Sequence, residues 1–270
     1  ESDPRGRKKP RSVNEDRRMV GRFVKPHLGT RKVVAVTHGE IDSLHQSLSA
    51  TPYQANRVLA LLSRMFNLAE KWRSRELNSN PCRHVRRFKE KKRKRYMREI
   101  EAPRVAAALE RYAATSPQAV AFIYLLVLTG ARPNEIANAR REWIERVGDA
   151  GVLRLPDSKT GARPVFLPRA VMKLLDRTPQ ASGTLTGIKS PKALWSKIRV
   201  AAGAPDLRLY DMRHTFASAA LEAGYSLAQI GELLGHASAQ TTKRYAHLIE
   251  SSAHSVAAGT SARLERMLTA

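Results

Sequence analysis

The sequence predicts a mainly α-helical protein: an N-terminal helical bundle followed by a mainly helical domain with a small antiparallel β-sheet. Three observations carry that expectation. The stretch "NRVLALLSRMFNLAEKW" spaces Val58, Leu61, Leu62, Met65, Phe66 and Ala69 as one face of a long helix. Beyond Ala102, helical patterns recur and several stop at a glycine. In "GVLRLPDSKTGARPVFLP" (151–168) the period changes. There Val152 and Leu153, then Val165, Phe166 and Leu167, flank a polar centre containing Thr160-Gly161, the mark of a β-hairpin.

Taken in order, residues 1–12 are basic and rich in proline and read as a flexible end, with the helical pattern starting at Val13. "THGEIDSL" (37–44) has the capping-box order, Thr37 and then Glu40, ahead of Ile41 and Leu44. The long helix opens with Thr51 as its cap and Pro52 in the first helical position. Residues 13–85 therefore form the predicted helical bundle. "RHVRRFKEKKRKRYMR" (83–98) holds ten Lys and Arg against one Glu. Such a run reads equally as a solvated linker and as a hinge that follows a polyanionic backbone. The interdomain linker is placed at 86–101. "APRVAAALERYA" and "AVAFIYLLVLTG" are helical, "KALWSKIRVAAG" ends at Gly203, "DMRHTFASAALEAG" has the same glycine stop, and "SLAQIGELLG" follows. These make a second domain over 102–252. The tail, 253–270, ends in the amphipathic "SARLERMLTA", suited to packing in cis or on a neighbouring copy.

The net charge of +24, from 48 Lys and Arg against 24 Asp and Glu, favours a polyanion as partner. Nucleic acid leads, and an anionic membrane surface is the rival. A bilayer crossing needs about 20 apolar residues, and "AVAFIYLLVL" (119–128) is about half that. No signal-peptide pattern opens the chain, and its start at Glu1 rather than Met leads us to expect a further segment upstream. The single Cys82 leaves no internal disulfide and no cysteine-based zinc site, which fits a reducing, cytoplasmic setting.

Four patches carry chemistry-bearing residues. "TGARPNEIANAR" puts Arg132 at a helix start after a glycine turn, and "DSKTGARPV" puts Lys159 at the hairpin tip. "LYDMRHTFAS" sets Arg213 and His214 in a helix, and "LGHASAQTTKRYAHL" supplies His236 and then Tyr245. Singly, each has a bland reading: a surface arginine, a turn lysine, a core tyrosine. "GELLGHASAQTTKRYAHL" also reads as a helix-turn-helix that only holds DNA.

The order of these patches resembles the tyrosine recombinases, or phage-type integrases, over roughly residues 15–250. "LTGARPNE" is similar to that family's first box, with Arg132 and Glu135 in the matching places, and "MRHTFAS" with "LGHASAQTTKRYAHL" to its second. "NRVLALLSRMFNLAEKW" is similar to its core-binding domain. One position departs: where the family usually has His three residues before the second arginine, this chain has Tyr210. A tyrosine there still donates a hydrogen bond but is a poor base near neutral pH.

The resemblance implies a site-specific recombinase acting on duplex DNA as a homotetramer. In that reading Arg132 and Arg213 hold the phosphate and Lys159 protonates the leaving 5′ oxygen. His236 donates to the phosphate or shuttles a proton, Glu135 orients Arg132 or its neighbours, and Tyr245 forms a 3′-phosphotyrosine link. Tyr210, in the place of the usual His, is expected to donate a hydrogen bond to a phosphate oxygen. The link keeps the phosphodiester's energy, so no nucleotide cofactor is expected, and no carboxylate cluster suggests a metal pair. The DNA-contact candidates are Arg57 and Arg64 on the long helix, with Arg86, Arg87, Lys89, Lys91, Lys92, Arg93, Lys94 and Arg95 in the basic run. Two rivals stand beside it: a DNA-binding regulator without enzymatic activity, and a type IB topoisomerase-like enzyme that relaxes DNA without exchanging strands.

Overall fold

Proline's fixed φ suits a first helical turn, and the first helix starts at Pro10, three residues ahead of the expected Val13. The computed structural model describes residues 8, 10–91, 93–158, 161–179, 183–235, 238, 242, 245 and 260–269. The chain divides into two compact units, Glu1–Arg93 and Lys94–Ala270.

In the first unit α1 (Pro10–Met19) passes through a π-turn at Val20–Val24 into α2 (Lys25–Leu28). α3 (His38–Ser47) opens with the capping box seen in the sequence. The Thr37 hydroxyl accepts from the Glu40 N–H, and Glu40 Oε2 accepts from the Thr37 N–H at 2.8 Å. α4 (Pro52–Lys71) is the long amphipathic helix. Two details refine the expectation. Thr51 holds the N-cap position of α4 as expected, but its side chain makes no cap hydrogen bond; its hydroxyl donates back to the Leu48 carbonyl at 3.3 Å. Met65 is exposed, because the buried stripe runs through Ala55, Val58, Leu59, Leu62, Phe66 and Ala69.

The basic run is anchored rather than wholly solvated. Val85 joins the core of the first unit, and the Phe88 ring stacks on buried His45 with centroids 4.3 Å apart. Asn56 does for this segment what a paired strand would do. Its Oδ1 accepts from the Phe88 N–H at 3.0 Å, and its Nδ2 donates to the Phe88 carbonyl at 2.9 Å and to Glu90 Oε1 at 2.8 Å. Around this anchor Arg86, Arg87, Lys89, Lys91 and Arg93 are exposed, as are Arg57 and Arg64 on α4. Lys92 lies outside the described residues.

In the second unit a 3-10 turn, Glu99–Glu101, leads into α5 (Ala102–Glu110). α6 (Pro117–Thr129) buries Val120, Phe122, Ile123, Leu125 and Leu126, so its apolar run belongs to a core helix. No helix among the described residues is long and apolar enough to cross a membrane. After α7 (Pro133–Asn138) come β1 (Ile144–Val147), β2 (Ala150–Leu155) and β3 (Arg163–Leu167), an antiparallel sheet in that order. The predicted hairpin is its β2–β3 half, with Leu153 opposite Val165, and β1 adds a third strand with Ile144 opposite Leu153. α8 (Arg169–Arg177) packs on the sheet and on α6, and α9 (Lys192–Ala201) on α5. α10 (Asp211–Glu222) lies against both α6 and α11 (Leu227–Leu234). The fold class is the one expected, mainly helical with a small antiparallel sheet. Residues 260–268 are helical, with Leu264, Met267 and Leu268 exposed.

Candidate active site

Two left-handed glycines aim the chain at the site. Gly130 (φ +61°) ends α6, and a Cβ there would lie 2.7 Å from side-chain atoms of both Leu234 and Phe216. Gly235 (φ +64°) ends α11, and a Cβ there would lie 2.4 Å from Arg163 Cδ. Both turns need the bare backbone that only glycine offers at these angles.

Past Gly130 the chain delivers Arg132 to the start of α7. Its backbone N–H donates to Glu135 Oε2 at 2.8 Å and its Nη1 to Glu135 Oε1 at 2.7 Å. From the first residue of β3, Arg163 reaches the same carboxylate, Nη2 to Oε2 at 2.6 Å. Burial pushes the Glu135 carboxyl up, but the hydrogen bond from Arg163, the Arg132 N–H, the Arg163 charge and the Arg132 side-chain hydrogen bond outweigh it. The net result holds Glu135 below its ordinary value, and the group stays ionised at neutral pH.

Arg213 is 2% exposed, inside α10, and its Nη1 donates to the Gly130 carbonyl at 2.9 Å and its Nη2 to the Leu234 carbonyl at 2.6 Å. Arg132 Nη2 approaches the next carbonyl, that of Gly235, at 3.4 Å. The two guanidiniums thus meet on successive carbonyls at the C-terminal end of α11, where the helix dipole favours positive charge. Burial, and next the neighbouring Arg132 charge, push Arg213 down to about 10, still well above neutral pH. Arg132, Arg163 and Arg213 therefore gather around one carboxylate, Glu135, and their charge balance favours an incoming anion.

Immediately after Arg213, His214 points its Nδ1 at the Tyr245 hydroxyl, 2.7 Å away. Tyr245 is 4% exposed and packs with Ala217, Leu221, Ile230 and Leu234. Tyr210, 44% exposed at the start of α10, meets His214 edge-on with ring centroids 5.5 Å apart. Among the described residues, no group of three or more His, Cys, Asp or Glu could hold a metal ion.

Of the residues singled out in the sequence, Arg132 and Glu135 pair directly, Arg213 sits on the carbonyl next to the one Arg132 approaches, and Tyr210 and Tyr245 each meet His214. Lys159 and His236 lie outside the described residues. Arg95, also named as a DNA-contact candidate, has its guanidinium engaged with Glu101 at 2.7 Å and Asp206 at 2.9 Å. Lys94 beside it is exposed. Sequence reasoning passed over Arg163, although the alternation of β3 puts it on the same face as buried Val165 and Leu167. A charge on a strand's inward face signals a buried partner. His214 was seen only as a neighbour of Arg213.

Set against known families, the phage integrase family model matches residues 95–251, more than half of the chain. The chain belongs to the phage integrase family. This family member is 29% identical over 140 residues to the prophage phiRv2 integrase of Mycobacterium tuberculosis, covering 46% of this chain and 37% of that one. It is 30% identical over 137 residues to the tyrosine recombinase XerA of Saccharolobus solfataricus, covering 47% of this chain and 45% of that one. The match spans less than half the length of either relative. In fold, the chain resembles a lambda integrase dimer bound to a core site, with TM-score 0.70 at 19% identity over 90% of both chains. It also resembles the XerH site-specific recombinase in a post-cleavage complex, with TM-score 0.66 at 17% identity over 83% of this chain and 72% of that one.

Proposed function

We propose that this integrase cuts and rejoins duplex DNA at specific sites, with Tyr245 as nucleophile and without a nucleotide cofactor. One observation carries the reading: consecutive residues of α10 serve an anion clamp and a tyrosine hydroxyl, Arg213 beside Arg132 and His214 on Tyr245. Arg132 and Arg213 hold the non-bridging oxygens of the scissile phosphate and stabilise the charge that builds there. Glu135, tied to Arg163, fixes the Arg132 fork. Tyr245 attacks phosphorus to form a 3′-phosphotyrosine, which keeps the energy for rejoining. Lys159 protonates the leaving 5′ oxygen, and His236 and Tyr210 donate to the phosphate. The exposed cations Arg57, Arg64, Arg86, Arg87, Lys89, Lys91, Arg93 and Lys94, with Lys92, follow the DNA backbone from the first unit and the run after it. Successive exchange of strands between two sites takes place in a homotetramer.

Trapping covalent complexes on fragmented cellular and phage DNA, and sequencing the attached ends, tests the reading. The expected result is a small set of recurrent sequences joined to protein through their 3′ ends. Adducts spread without sequence preference, together with plasmid relaxation and no strand exchange, would point to a topoisomerase instead. Binding without any adduct would leave a regulator.

A further inference from the structure

We infer that His214 is the general base that takes the proton from Tyr245 as it attacks. The inference rests on the proposed nucleophilic role of Tyr245 and goes one step beyond it, since a phenol cannot attack without losing its proton. A tyrosine hydroxyl releases that proton on its own only near pH 10, roughly three units above neutral. A neutral imidazole, with an ordinary value of about 6.5, is mostly unprotonated at neutral pH and has one ring nitrogen free to accept.

The geometry puts that acceptor in place. His214 Nδ1 lies 2.7 Å from Tyr245 Oη, within the range that proton transfer needs, and the hydroxyl donates to Nδ1 when the ring proton sits on Nε2. Tyr210, the residue just before α10, meets the ring edge-on at 5.5 Å between centroids, and the next residue along the helix, Thr215, accepts the Met97 N–H at 2.8 Å. Tyr210 is a phenol and a poor base, so His214 supplies the imidazole on this face of α10.

A bond forms between Tyr245 Oη and phosphorus while the bond from phosphorus to the 5′ oxygen breaks. The phenolic proton moves to His214 Nδ1, giving an imidazolium, and the leaving 5′ oxygen takes a proton from the Lys159 ammonium. In rejoining, the attacking 5′ hydroxyl returns its proton to the lysine amine. The imidazolium then returns its own proton to the departing tyrosine oxygen.

The test is single-turnover cleavage of a suicide substrate built on a site recovered by trapping, alongside binding of the same DNA. His214→Gln keeps a polar side chain of similar reach but cannot carry the proton. It should bind DNA as the wild type does and cleave about a hundredfold to ten-thousandfold more slowly. His214→Ala should be equally slow and should recover with added imidazole, more so with more basic imidazoles. A substrate with a 5′-bridging sulfur, whose leaving thiolate needs no proton, should leave the His214 defect in place. Wild-type rates in His214→Gln would overturn the inference, as would full rescue by the 5′ sulfur, which assigns an acid role. If Tyr245→Phe still forms adducts, the nucleophile itself is misassigned, an outcome separate from either.

Discussion

A single buried carboxylate organises the charged part of the site. Glu135 receives bonds from Arg132 at 2.7 Å and Arg163 at 2.6 Å, and its charge is what allows guanidiniums to crowd beside Arg213. Glu135→Gln keeps the shape and removes the charge, so the Arg132 fork loosens. Misplacing a clamping group by about 1 Å typically costs about a hundredfold in rate. Single-turnover cleavage should fall by roughly that factor while DNA affinity holds, since a negative charge near the phosphate is lost. An unchanged rate would mean that Glu135 supports only the fold. At this scale the sequence was partly legible. Arg132, Glu135, Arg213 and Tyr245 stand in recognisable strings, but Arg163 does not, because its partner Glu135 is 28 positions away. The His214–Tyr245 contact likewise spans 31 positions, beyond the reach of periodicity.

Helices were the most readable elements, because caps and glycine stops act within a turn or two. The Thr37–Glu40 box and the left-handed Gly235 stand where the pattern put them. β1 escaped notice, since four residues, "IERV", are too few for an alternation to emerge. The basic run was read by composition alone, and its anchoring depends on Asn56, a polar residue on an otherwise apolar stripe. The 3-10 turn after it, Glu99–Glu101, offers a stability test. Burial raises the Glu101 carboxyl, but hydrogen bonds from Arg95, then from Arg98, overcome this and bring it down from 4.5 to about 2. A depressed carboxylate stabilises the fold above its unfolded value and loses that contribution as pH falls through the folded one. Glu101→Gln should therefore cost about 1–3 kcal/mol near neutral pH. Urea melts of both proteins should converge as pH drops from 4.5 towards about 2. A gap that stays constant over that range would show that packing, not charge, makes Glu101 matter.

For the whole molecule, the proposed function gives the +24 charge the task of holding DNA rather than choosing where it is cut. Each phosphate neutralised contributes roughly 0.9 log units of affinity per log unit of salt. Changing Lys91, Lys92, Arg93 and Lys94 together to Gln should flatten that slope. A slope that does not change would place the run away from the DNA. Cutting, in the proposed reading, depends on one hydroxyl, that of Tyr245, which packs between α10 and α11 and pairs with His214. Tyr245→Phe removes that hydroxyl and leaves the ring to pack as before. The decisive measurement is covalent trapping on cleavable duplex DNA by wild type and Tyr245→Phe, with binding followed in parallel. The phenylalanine protein should bind DNA with unchanged affinity and form no 3′-linked adduct. Adducts that persist in it, mapping to Tyr210 or to Tyr225, exposed in the turn between α10 and α11, would contradict the assignment of Tyr245 as the nucleophile.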